Sequence, residues 1–346
     1  MEGVHPRVPV GEPGHRQVLG EGTIHLGDVC LVTGGAGFIG SDLVRALVRQ
    51  GMRVRVYDDL STGHESNLDG IDGDVELVRG DVCDHESLWA ATQGAAVVFH
   101  LAAATSASRS LDDPLRTHEV NATGTMNALL GARDAGCQRV VVASSASVYG
   151  DQDSGPLRES LPAWPMSPFA ASKLAAERYA TAFFYAYALP SVSLRLFNVF
   201  GPREATDGEG GVVASFIGAA LDGRAMEIHG DGEQSRDFVH VGDVVQAMLL
   251  AADATPDAFG GVFNVAMGDR HTVATVARMV ATISEEAGGP KVPPPVHVAA
   301  REGDLAERHA DVREASRVLG FSPEFGFEDG LRRTVAWFAQ ERRPGA

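Results

Sequence analysis

Thr33-Gly34-Gly35-Ala36-Gly37-Phe38-Ile39-Gly40 is where the chain declares its architecture. Before it, Val29-Cys30-Leu31-Val32-Thr33 is a short apolar run that stops at glycines. After it, residues 38–50 place Ile39, Leu43, Leu47 and Val48 at helical spacing. Gly34, Gly37 and Gly40 spell G-x-x-G-x-x-G. Glycines at such a strand-to-helix turn allow the sharp bend and let backbone amides approach a pyrophosphate at the positive end of the helix. Alone, the loop could be only a turn. The next strand-like run, Val54-Arg55-Val56-Tyr57, ends at Asp58. A carboxylate there accepts hydrogen bonds from an adenosine ribose and repels a 2′-phosphate, which points to NAD rather than NADP.

Outward from this unit the rhythm repeats. Val75-Glu76-Leu77-Val78, Ala96-Val97-Val98-Phe99-His100, Arg139-Val140-Val141-Val142-Ala143 and residues 191–196 read as the third to sixth strands, with long helices over 115–135 and 169–187. The alternation predicts an α/β fold, a Rossmann-type doubly wound parallel sheet with helices on both faces. After Asn198 it breaks. Gly208, Gly210, Gly211, Gly230 and Gly232 suggest the loops of a smaller α/β substrate-binding region, and Pro290 and Pro293 to Pro295 a rigid connector before a helical segment near 326–340. The expected organisation is a mobile tail over 1–26, a dinucleotide-binding domain over 27–198 with a return segment near 236–252, and a mainly substrate-binding domain over 199–340.

A formal charge of −17 argues against nonspecific nucleic-acid binding, which needs a basic surface. No apolar run reaches membrane-spanning length, and residues 1–26 lack the charged-then-apolar pattern of a signal peptide. Cys30, Cys83 and Cys137 are sparse and odd in number, so neither a disulfide framework nor a metal site is expected, and a cytoplasmic location with reduced thiols is. Only two of the 29 basic residues are lysines, Lys173 and Lys291. Where arginine serves everywhere else, Lys173 stands out, because a compact ammonium with a tunable pKa is what arginine cannot supply.

Further motifs resemble a known family. They are Phe99-His100-Leu101-Ala102-Ala103, Ser144-Ser145-Ala146-Ser147-Val148-Tyr149-Gly150, Ser167-Pro168-Phe169-Ala170-Ala171-Ser172-Lys173, Leu196-Phe197-Asn198-Val199-Phe200-Gly201-Pro202 and Arg236-Asp237-Phe238. With the glycine loop, they are similar to the extended short-chain dehydrogenase/reductases that modify nucleotide-linked sugars, in particular the NAD-dependent UDP-sugar 4-epimerases. The resemblance runs from about Asp28 to Phe338. It implies cofactor contacts from Gly34, Gly37, Phe38 and Ile39 in the loop, and from Asp58, Asp59, Thr62 and Gly63 after the second strand. Further contacts are implied at Val82, Leu101, Ala102, Ala103, Asn121, Ser144, Lys173, Leu196 and Val199. Asp81 reads either as an adenine contact or as a turn aspartate.

The resemblance also implies the catalytic positions Ser145, Phe169 and Lys173. Ser145 would hydrogen-bond the reacting hydroxyl and Lys173 the nicotinamide ribose. A tyrosine at 169 would be the general base, its phenol made acidic by nearby positive charge. Substrate contacts implied in the same way are Thr105, Ser106, Ser147, Asn198, Gly211 and Val212, with Arg236, Arg301 and Asp304 holding a uridine diphosphate. Relatives that dehydrate or decarboxylate carry acids at the positions of Ala146 and Ser147, as extra proton transfers require. Their absence leaves 4-epimerisation: oxidation at C4, a 4-keto sugar, and hydride return to the opposite face. Arg308 dissents, since it suits a uronate carboxylate or else the diphosphate; UDP-glucuronate, as epimerase or decarboxylase substrate, is the alternative. Relatives pair through the helices at 115–135 and 169–187, so a homodimer is expected, with ordinary core helices as the other reading.

Phe169 cannot accept a proton. Three explanations stay open: a Tyr→Phe change made to trap a substrate complex, a natural enzyme with another group or water as base, or a sugar-nucleotide binder without turnover.

Overall fold

The computed structural model describes residues 25–152, 155–206, 210–300 and 307–342, with Glu307 and Arg308 described by their backbone. His25 and Leu26 apart, the tail expected over 1–26 lies outside the described residues. The first unit forms as its pattern dictates. β1 (Val29–Thr33) is almost wholly buried, and α1 (Phe38–Arg49) turns Leu43, Val44 and Leu47 inward. β2 (Arg53–Asp58), β3 (Val75–Arg79), α2 (His85–Thr92) and β4 (Val97–His100) continue the alternation.

The helix expected over 115–135 is divided. α3 (Arg109–Asp112) precedes α4 (Pro114–His118), then a π turn at Glu119–Thr123, then α5 (Gly124–Ala135). The interruption frees Asn121 to bond outside its own helix: Oδ1 accepts the Ala104 amide at 2.8 Å, and Nδ2 donates to Ser172 Oγ at 2.9 Å.

β5 (Arg139–Ser145) leads to α6 (Pro168–Tyr187), whose first turn is set by Ser167 accepting the Ala170 amide and by Pro168 at a position needing no N–H. β6 (Ser191–Leu196) and the short β7 (Asn198–Phe200) follow. Beyond them come α7 (Val212–Leu221), β8 (Glu227–His229), β9 (Ser235–Arg236), β10 (Phe238–His240) and α8 (Val241–Ala252). β11 (Val262–Val265), β12 (His271–Thr272), α9 (Val273–Glu286), β13 (Val296–Val298), β14 (Glu307–Arg308), α10 (Arg313–Leu319) and α11 (Phe327–Glu341) complete the order.

The central sheet has seven parallel strands in the order β11-β6-β5-β4-β1-β2-β3. Six were legible in the sequence; β11, from the stretch read as substrate-binding, was not. Asn264 interrupts its short apolar run, and it is placed by pairing with β6 through Val262–Val265 rather than by its own pattern. The order reverses between β4 and β1, so a crevice opens where their carboxyl ends diverge. Smaller sheets (β10-β7, β12-β9-β14 and β13-β8) lie outside the main one, over a separate apolar cluster built on Phe216, Phe238, Phe327 and Leu331.

Candidate active site

In a parallel sheet every strand end points the same way, so residues scattered from 33 to 198 meet along one edge. The glycine loop fits a dinucleotide closely. Gly34 has φ +69°, and a Cβ there would lie 2.7 Å from the Ala102 amide nitrogen. At Gly40 a Cβ would lie 2.1 Å from the Gly34 carbonyl, and at Gly63 2.9 Å from Ala36. Bare backbone is therefore required on three sides of the cradle. Asp58, at the end of β2, accepts the Ala36 amide at 2.9 Å with one oxygen and the Leu60 amide at 2.9 Å with the other. It locks the loop to the end of β2. Asp59 and Thr62 are exposed beside it, and Phe38 and Ile39 are half-buried.

The second half of the cradle comes from β3 and β4. Asp81 accepts the Cys83 amide and pairs with Arg116 at 2.7 Å, which holds its carboxyl below the usual range once burial is offset. It is thus a turn aspartate with a cation attached, half-exposed beside buried Val82. Leu101, Ala102 and Ala103 leave β4 half-buried. The amides of Leu101 and Ala102 donate to Thr33 Oγ1 at 3.2 and 3.3 Å. The Thr33 hydroxyl also lies 2.9 Å from His100 Nδ1. Burial, with Lys173 nearby, pushes the His100 pKa down to about 3.

The positions expected to react sit on β5 and α6. Ser145 accepts the Ser147 amide at 3.1 Å, leaving its own hydrogen to donate. The Ser147 hydroxyl is buried without a partner. Lys173 is 7% exposed and donates to the Ala143 carbonyl at 2.9 Å, two residues before Ser145. Phe169 lies one turn earlier on the same helix, 8% exposed. Beneath them Glu177, wholly buried, takes both prongs of Arg195 at 2.8 Å and the Ser144 hydroxyl at 2.6 Å. The side chains of Ser144 and Asn121 are therefore committed to the protein itself, so a contact from either would come from its backbone.

On the opposite wall Asn198 donates to the Asp237 carbonyl at 2.9 Å, and Val199 and buried Leu196 flank it. Thr105 is exposed, and Ser106 accepts the Arg109 amide. Gly211 and Val212 begin α7. Arg301 and Asp304 lie outside the described residues. Arg236 is aligned directly with Arg308 where β9 pairs with β14, so the backbone sets two arginines side by side.

Two acids escaped sequence reasoning. Asp237 accepts amides from Met267, Gly268 and Ala310 at 2.9–3.0 Å, binding three loops to the strand that carries Arg236. It stood within the Arg236-Asp237-Phe238 motif, where only the arginine carried a role. Glu204 follows Gly201-Pro202-Arg203 and accepts the Gly211 amide at 2.7 Å with Oε1, while Oε2 is buried without a partner. Burial pushes Glu204 up to about 8, so it is protonated at neutral pH. A folded pKa above the ordinary 4.5 means its stabilising contribution is full below 4.5 and is lost as pH rises through 8. Glu204→Gln, fixed neutral, is expected to remove that decline and to be more stable by roughly 3–5 kcal/mol at pH 9. Denaturant melts at pH 6 and pH 9 measure it.

The fold and crevice define a dinucleotide-dependent enzyme of the short-chain dehydrogenase/reductase type. Residues 30–266 match the NAD dependent epimerase/dehydratase family, and the chain belongs to it. NAD is its cofactor. The chain is 40% identical over 312 residues to the UDP-glucose 4-epimerase of Mycolicibacterium smegmatis, covering 89% of this chain and 97% of that protein. The UDP-glucose 4-epimerase of Thermotoga maritima, solved with UDP-glucose, superposes with a TM-score of 0.85 at 34% identity, over 91% of this chain and 100% of that one. MoeE5, solved with UDP-glucuronic acid and NAD, gives 0.81 at 37%, over 91% and 100%.

Proposed function

We propose that this chain is an NAD-dependent UDP-sugar 4-epimerase whose turnover is reduced by Phe169. The observation that carries the reading is that Lys173 on α6 donates to the Ala143 carbonyl of the strand that ends at Ser145, with no acid at Ala146 or Ser147. Bound NAD supplies a reversible hydride acceptor. The protein does the rest. Ser145 donates to the C4 oxygen, and Lys173 holds the nicotinamide ribose. Asn198 and Arg236 hold the diphosphate, and the rotating 4-keto sugar stays tethered by it.

The test is a screen of UDP-glucose, UDP-N-acetylglucosamine and UDP-glucuronate with the chain and its Phe169→Tyr form, products resolved by NMR. Conversion to the C4 epimer supports the reading. A second reading, UDP-glucuronate as substrate, is favoured by Arg308 beside Arg236, and carbon dioxide release would decide for decarboxylation. Neither binding nor turnover of any UDP-sugar by either form would refute both. Binding by both forms with turnover by neither would leave a silent sugar-nucleotide binder.

We also propose a homodimer through α5 and α6, where Tyr185 stays 72% exposed on the monomer. Sedimentation should give twice the 36.4 kDa chain mass. Among the described residues no helix is long and apolar enough to cross a membrane, and no group of three or more His, Cys, Asp or Glu side chains could hold a metal ion.

A further inference from the structure

We propose that in this chain Lys173 is itself the proton acceptor for the sugar hydroxyl, in place of the phenol that position 169 lacks. The inference rests on the epimerase reading above.

No other phenol substitutes. Of the five tyrosines, Tyr57 gives its hydroxyl to the Asp81 carbonyl at 3.0 Å, and Tyr149 is fully buried and donates to Asn264 at 2.6 Å. Tyr179, Tyr185 and Tyr187 lie at least two turns beyond Phe169 on α6. The other titratable groups at this end of the sheet are engaged. His100 Nδ1 is engaged with Thr33 Oγ1, and burial pushes the ring down to about 3, far too weak a base at neutral pH. Both oxygens of Glu177 are held by Arg195. Asp58 and Asp237 are held by backbone amides. Of the groups named, this leaves Lys173.

Its placement suits the task. It follows Phe169 by four residues on α6 and shares that face of the helix. Its bond to the Ala143 carbonyl anchors the amine beside Ser145 while using one hydrogen. No free counter-ion holds it charged. Glu177, on its own helix, is neutralised by Arg195 from β6; His100, from β4, is neutral. On the packed segments, Arg109, Asp112, His118 and Glu119 are exposed, and Arg116 is paired with Asp81. Burial accordingly pushes Lys173 down to about 8.

The step balances. The hydroxyl proton passes through one water, bridging the C4 oxygen and the neutral amine, to that amine, which becomes an ammonium. The C4–H electron pair leaves as hydride to NAD as the C4–O double bond forms, and on return the ammonium gives the proton back.

Because the chain has two lysines, ¹³C-lysine labelling yields only two sets of Cε signals, and a Lys291→Arg form assigns them. Expected are a Lys173 Cε titration near pH 8 and a kcat/KM that climbs tenfold per pH unit to that same point. Lys173→Arg should lower turnover at least about 100-fold in the Phe169 chain. A Lys173 titration above 10, a rate profile that ignores it, or full activity in Lys173→Arg would overturn the proposal. So would turnover seen only after Phe169→Tyr, though the epimerase assignment would then stand. Turnover in neither form would remove both.

Discussion

Phe169→Tyr is expected to raise kcat with the preferred UDP-sugar by about 10²–10⁴-fold, the usual worth of a positioned general base. The substitution adds one oxygen to a side chain already seated in the first turn of α6, where the Ser167 cap and Pro168 set the backbone. A free phenol titrates near 10 and is a poor base at neutral pH. Beside Lys173, still charged below about 8, its anion is stabilised, and the two groups then titrate as a pair. The rising limb of the pH–rate profile should therefore move to lower pH than in the Phe169 chain, while KM changes little. A rate gain below threefold with an unmoved limb would show that position 169 is not where the proton goes.

Glu177→Ala is expected to cost roughly 3–5 kcal/mol of stability, because it leaves the Arg195 guanidinium charged in a site only 3% exposed. The Ser144 hydroxyl loses its acceptor at the same time. Equilibrium denaturation in urea measures the loss, and the double variant Glu177→Leu, Arg195→Met should recover most of it by replacing the pair with packed apolar groups. A loss under about 1 kcal/mol would mean that Arg195 finds other partners. The pair also bears on the active site, since it decides whether Glu177 keeps Lys173 charged.

Local features carried most of what was legible. The glycine loop, Asp58 and six of seven strands were readable because a turn needing bare backbone and a buried parallel strand each demand particular residues at fixed spacing. β11 was not, its apolar run being broken by Asn264 and its place defined by its partner β6. The π turn inside the expected helix was equally invisible, for helix propensity is unaffected by a shift of one hydrogen bond.

The site divides in the same way. Ser145, Phe169 and Lys173 were named from motif order, and NAD from the loop and its distal acid. Which polar groups are spent on the protein and which face the crevice depends on neighbours more than a hundred residues away in some cases, as when Asn264 takes the Tyr149 hydroxyl. Burial also lies outside any local pattern: Glu204 and Lys173 have shifted acidities because distant segments exclude water from them. Residue order alone thus determined six strands of the sheet and the cofactor, and named the expected reacting positions. Only the packed structure decided the protonation states, because charge stability follows solvent and counter-ions, and those are arranged in space rather than along the chain.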